Sequence, residues 1–215
     1  NITLNVRQYK LKKILIMKIS VAKALFNSYS YSEYRKLVSD LLVEGKSTGN
    51  EQSEDLTHYS TLNETRMNRL DKTIKITEGN ISKLKSLEGK YIWLVISEGW
   101  CGDAAQLLPI INKMAVESGK IDLRIVLRDE NEELMNLFLT NKSKAIPILI
   151  VVDVATGNVL GNWGPRPKGA TDLIIDYKKE FGVVDETAKN NLQLWYLHDK
   201  GLTTQEELIN LMQNP

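Results

Sequence analysis

The chain has 215 residues, 28 basic and 27 acidic side chains, two histidines and one cysteine. At about 150 residues per domain this is one domain with additions, or two small ones. A net charge of +1 gives no general electrostatic drive toward nucleic acid or an anionic membrane. A single cysteine excludes an internal disulfide framework, a cysteine-rich zinc site and a Cys-x-x-Cys pair.

The first 32 residues carry six bases (Arg7, Lys10, Lys12, Lys13, Lys18, Lys23) and no acid. The apolar run Ile14–Met17 is only four residues long, too short for a signal peptide or for the ~20 residues of a membrane span. Met17-Lys18-Ile19 reads as a natural start, which makes residues 1–16 an upstream extension, disordered or artefactual. The default address is cytoplasmic. Ser30 with Glu33 forms a capping box ahead of Tyr34, Leu37, Val38, Leu41 and Leu42 at helical spacing, and Gly45 ends that helix. After a polar loop, 45–55, a longer helix is predicted from about Leu56 to Ile76, with Leu62, Met67, Leu70 and Ile74 inward and Arg66, Arg69 and Lys72 in water. A short helix over 81–87 follows.

The pattern then changes. Tyr91–Ile96 is a continuous apolar run, as expected of a strand buried on both faces. A helix is predicted from Cys101 or Gly102 to about Glu117, a strand over Ile121–Leu127 and a helix over Glu132–Leu139. Two strands, Ile148–Val152 and Val159–Trp163, are joined by the hairpin signal Ala155-Thr156-Gly157-Asn158. Helices are predicted over Ala170–Phe181, Glu186–Asp199 and Thr204–Met212, the last with Thr204 and Glu207 as a second capping box.

At the first strand-to-helix turn stands Ser97-Glu98-Gly99-Trp100-Cys101-Gly102-Asp103-Ala104. A cysteine there faces unpaired backbone N–H groups and the positive end of the helix dipole, which favours the nucleophilic thiolate. Asp103, two residues on, is favoured by the same dipole; as a proton acceptor or orienting group it would act on the thiol, and as a negative neighbour it would raise the thiol's pKa. Ala145-Ile146-Pro147 lies just before the third strand, and Gly164-Pro165-Arg166-Pro167 just after the fourth.

Trp100-Cys101-Gly102, Asp129-Glu130-Asn131 after the second strand, and Ile146-Pro147, in this strand order, resemble the thioredoxin family over about residues 88–182. The resemblance implies a thioredoxin-like α/β fold, a central mixed sheet flanked by helices, here with an N-terminal helical extension (1–87) and a C-terminal helical tail (183–215). It also implies a cis bond before Pro147 and a shallow apolar groove in which Ile146, Pro147, Trp100 and Gly102 hold an extended substrate beside Cys101. Arg166 would return near the active-site turn and stabilise a thiolate at Cys101. Two departures stand out. Ala104 occupies the place of the resolving cysteine, and Val95 the place of the buried acid that assists it.

The expected chemistry is therefore monothiol. Cys101 is the nucleophile in thiol–disulfide exchange or a redox-sensing thiol, with Asp103 and Arg166 beside it. The partners would be protein thiols or disulfides, or a small-molecule thiol, with no nucleic acid and no membrane; the extensions could pair two copies as a homodimer. The competing reading is a thioredoxin-fold binding module without redox activity. No cofactor and no metal are expected: His58 and His198 are too few and too far apart, and Gly45-Lys46-Ser47-Thr48 lacks the glycine and strand of a phosphate-binding loop.

Overall fold

The structure is a computed structural model that describes the backbone of residues 2–213 and the side chains of 8, 9 and 11–213. Its elements are α1 (Ile2–Phe26), α2 (Tyr31–Val43), α3 (Glu54–Thr73), α4 (Glu78–Lys85), β1 (Tyr91–Ser97), α5 (Gly102–Ser118), β2 (Ile121–Leu127), α6 (Glu132–Met135), β3 (Ile148–Asp153), β4 (Val159–Trp163), α7 (Lys168–Phe181), α8 (Glu186–Asp199) and α9 (Leu202–Gln213). The four strands form one mixed sheet in the order β2-β1-β3-β4. β1 runs parallel to β2, with Val95 opposite Ile125, and antiparallel to β3, with Val95 opposite Leu149. β4 closes the other edge antiparallel to β3. Among the described residues no helix is long and apolar enough to cross a membrane.

The thioredoxin-like arrangement follows from the apolar pattern. Trp93, Leu94, Val95 and Ile96 are all fully buried, because a central strand in a layered α/β fold is covered on both faces. α5 carries the opposing layer: Leu107, Leu108, Ile111 and Met114 face the sheet, and α3, α4 and α9 pack on α5 in turn. α1 and α2 lie against β2. Tyr29 exchanges two 2.8 Å backbone hydrogen bonds with Ile125, which occupies part of the edge β2 would otherwise expose.

Three sequence expectations are corrected in the helical parts. On α3 the buried residues are Ser60, Asn63 and Met67, and Leu62 faces out. The inward face is polar because it meets backbone and hydroxyl groups that need partners: Asn63 Nδ2 donates to Gly99 O (2.9 Å), and the Ser60 and Ser47 hydroxyls share a hydrogen bond (2.6 Å). Arg66 is accordingly half-buried rather than in open water. On α9 the helix starts at Leu202, so Thr204 is buried inside its first turn and caps nothing. Glu207 instead accepts from Trp163 Nε1 (2.7 Å) and Lys168 N (2.8 Å), fastening α9 to the loop after β4. α6 ends at Met135, four residues short of Leu139, as Leu137 and Phe138 close tighter i→i+3 bonds to Leu134 and Met135.

Candidate functional site

The site is built at the C-terminal end of β1. Ser97 ends the strand, Glu98 follows it, Gly99 and Trp100 make the turn, and Cys101 is the N-cap of α5. Two side chains from the N-terminal extension clamp this turn by its backbone. Thr48 Oγ1 accepts from Gly99 N–H at 2.7 Å, and Asn63 donates to Gly99 O. The Ser47-Thr48 pair that fails as a phosphate loop thus serves as a brace, and both residues are buried.

Cys101 is only 7% exposed. Its Sγ accepts from Ala104 N–H (3.5 Å) and donates its proton to Ile146 O (3.4 Å). Burial, and then the negative charge of Asp103, push the thiol up to about 12; the backbone N–H groups of Ala104 and Asp103 and the cation of Arg166 pull the other way and are outweighed. The helix terminus that was expected to expose a thiolate therefore works against a stronger opposing effect. Burial removes the water that would stabilise the charge.

Asp103 is held from two sides. Tyr196 donates its hydroxyl to Oδ1 at 2.8 Å, and Arg166 Nη2 lies 2.7 Å from Oδ2. Arg166 thus comes next to Cys101, as its place after β4 implies, but its direct partner is the carboxylate. The Asp103 charge holds the guanidinium in its charged form, and burial, aided by the same carboxylate, drives Tyr196 well above its ordinary value. The Ile146–Pro147 bond is cis, and so is Gly164–Pro165. Trp100 is half-buried, with the guanidinium of Arg128 stacked 4.8 Å from its ring centroid.

Two residues of the site escaped the sequence reading. Tyr196 is separated from Asp103 by 93 positions, and no motif signals it. Glu98 is fully buried, accepts from Asp129 N–H (3.0 Å) and has its other oxygen unpartnered among the described residues; burial raises its pKa. A carboxylate three residues before the cysteine was visible in the sequence, but Val95 was the position weighed for a buried acid. Val95 is buried and apolar.

Around the thiol lies a cavity of about 580 Å³ whose walls include Trp100, Cys101, Ile146 and Arg166 from the core. Leu56, Tyr59, Leu62 and Arg66 of α3 and Lys189 and Gln193 of α8 complete it. Of the residues expected to form the groove, Trp100, Gly102 and Ile146 line this cavity and Pro147 does not. Among the described residues no group of three or more histidine, cysteine or carboxylate side chains is placed to hold a metal ion.

A family model described as Thioredoxin matches residues 49–179, well over half of the chain. The chain belongs to the thioredoxin family. The thioredoxin match begins at residue 49 and so takes in α4 and α3, the latter being the helix that braces and walls the cysteine turn, as well as the sheet. Two crystal structures share the fold. An HIV epitope scaffold is 18% identical, with a TM-score of 0.54, over 87% of this chain and 99% of its own. A protein of unknown function from Pseudomonas aeruginosa is 17% identical, with a TM-score of 0.51, over 86% of this chain and 98% of its own. No curated protein matches.

Proposed function

We propose that this thioredoxin-family protein is a binding module that keeps the family's cysteine turn as the floor of a ligand cavity, and that it does not catalyse thiol–disulfide exchange in its resting form. The observation that carries this reading is the state of Cys101: buried, its S–H hydrogen-bonded to Ile146 O, beside a carboxylate, with its pKa pushed up to about 12. At pH 7 such a thiol is ionised to about 1 part in 10⁵, against roughly 3 parts in 100 for a free thiol of pKa ~8.5. The thiolate is the attacking species in exchange, so its resting population is lower by about three thousandfold. Ala104 removes the second thiol that would release a trapped substrate.

One observation favours monothiol chemistry as the second reading: Cys101 lines the cavity with Arg166 close by. In that reading the thiolate attacks a sulfur of a small-molecule or protein disulfide. A Cys101–substrate mixed disulfide forms, the other half leaves as a thiolate, and an outside thiol must reduce the adduct. Alkylation of Cys101 by iodoacetamide between pH 6 and 11 separates the two. Binding predicts a rate still rising at pH 11 and far below that of a free thiol at pH 7.5. A half-point below about 8.5 refutes it in favour of the monothiol.

A further inference from the structure

The cavity over Cys101 does not end there. It shares Arg66, Asn190 and Gln193 with a second cavity of about 490 Å³, which shares Arg69, Gln106 and Leu197 with a third of about 680 Å³. The three form one trough between α3 and α8, leading from the cysteine turn to the start of α9. Its far end is apolar, walled by Leu70, Ile74, Ile76, Leu197 and Leu202, and Leu197 and Leu202 are about half exposed to it (51% and 46%).

The middle of the trough is cationic and uncompensated. Arg66 and Arg69 stand three residues apart on α3, which places them on one helix face. Neither has a carboxylate partner among the described residues; Arg66 Nη1 donates only to Asn63 Oδ1 (2.8 Å). Burial and the neighbouring charge of Arg69 both work against the Arg66 cation. The acids nearer the thiol are already committed, Asp103 to Arg166 and Tyr196, and Glu186 to Lys189. At the far end Glu78 is accompanied by Lys75 and Lys200. Two guanidinium groups beside neutral amides (Gln106, Asn190, Gln193) make a receptor for one anionic group.

We propose that the trough binds a small anionic amphiphile, its carboxylate or phosphate head between Arg66 and Arg69 and its aliphatic chain in the cavity between Ile74 and Leu202. The trough is flanked by two helices whose backbone groups are bonded internally, so it offers no strand edge to an extended peptide. An aliphatic chain has no backbone polar groups to satisfy, and each CH₂ buried there gains about 0.8 kcal/mol. The head would sit beside the cysteine turn, because Arg66 Nη1 is 3.9 Å from where a side chain on Gly102 would begin. The Asn63 bonds to Arg66 and to Gly99 O tie the two places together.

This inference names the ligand of the binding reading and rests on it. Its test is calorimetric titration of decanoate into the wild-type chain and into Cys101→Ser, so that the result does not depend on thiol chemistry. One saturable site is expected in both, with no binding of acetate or of decylammonium, which has the same chain and the opposite charge. Arg66→Glu with Arg69→Glu should weaken decanoate at least tenfold, the double lysine variant should stay within about threefold of wild type, and Leu202→Glu should weaken it tenfold. Circular dichroism identifies any variant that fails to fold. No decanoate binding, equal binding of decylammonium, or unchanged affinity in the double glutamate variant overturns the proposal. So does displacement of decanoate by an acidic amphipathic peptide of higher affinity. An inert thiol without decanoate binding sinks only this inference; a reactive thiol with decanoate binding sinks only the reading before it.

Discussion

Raising the pH should destabilise this protein through its one cysteine. In the unfolded chain the thiol titrates near ~8.5, whereas in the folded chain burial and Asp103 hold it up at about 12. A group whose folded pKa is raised contributes its full stability below the unfolded pKa and loses it as pH climbs toward the folded one. The window is thus about pH 8.5 to 12, with a slope of about 1.4 kcal/mol per pH unit. Between pH 8 and pH 10 the loss amounts to about 2 kcal/mol, a large share of a typical domain's 5–15 kcal/mol. Urea unfolding of the wild type and of Cys101→Ser, at half-unit steps from pH 8 to 10, measures it. Serine keeps a hydroxyl for Ile146 O but does not titrate in this range. The buried tyrosines, Tyr34 and Tyr196, whose ordinary value is 10.0, contribute alike to both proteins and cancel. The wild type should therefore lose about 2 kcal/mol more than the variant. If the difference between the two stays flat within about 0.5 kcal/mol, the thiol titrates alike folded and unfolded, and the reasoning about its burial is wrong.

Thr48→Val should leave the Gly99 N–H buried without its 2.7 Å partner, costing about 1–3 kcal/mol in urea unfolding; amide exchange at Gly99 should quicken, and unchanged exchange would deny the brace. Tyr196→Phe removes the 2.8 Å hydrogen bond to the Asp103 carboxylate and should cost about 1.5–3 kcal/mol, the range for bonds to charged groups; a loss below ~0.5 kcal/mol would mean that Arg166 alone satisfies the acid. Gly164→Ala should lower the melting temperature far more than Gly157→Ala. Both glycines have positive φ, +126° and +65°, but a Cβ at 164 would sit 2.3 Å from Pro147 O while one at 157 meets nothing within 4 Å. The expected costs are more than ~3 kcal/mol against roughly 1.

The core elements were legible because their patterns are local. The apolar run at 91–96 and the alternation at 121–127 each specify a strand, and the Ala155–Asn158 signal specifies the hairpin turn between β3 and β4, without reference to the rest of the chain. The Ser30–Glu33 capping box forms as read, with both reciprocal bonds present. The same signature at Thr204–Glu207 misled: a buried environment absorbed Thr204 into the helix, and Glu207 found stronger donors in Trp163 and Lys168. On α3 Met67 is buried as read, and Leu62 and Arg66 depart from the reading for a related reason. The helix's inward face is chosen by the backbone groups of the cysteine turn, which want amide and hydroxyl partners, and hydrophobic periodicity cannot see that demand.

From the sequence alone came the family resemblance, the place of Cys101 at the first residue before a helix, and the absence of a second thiol at Ala104. Composition and motif spacing are enough for these, since they concern which atoms exist and where they lie along the chain. Only the tertiary structure decided the state of the thiol. Whether a cysteine at a helix start is a thiolate depends on how much water reaches it and which charges stand near it. Here the Ile146 carbonyl, the Asp103 carboxylate held by Tyr196 and Arg166, and the walls of α3 and α8 set that environment, and most of those groups lie tens of residues away along the chain.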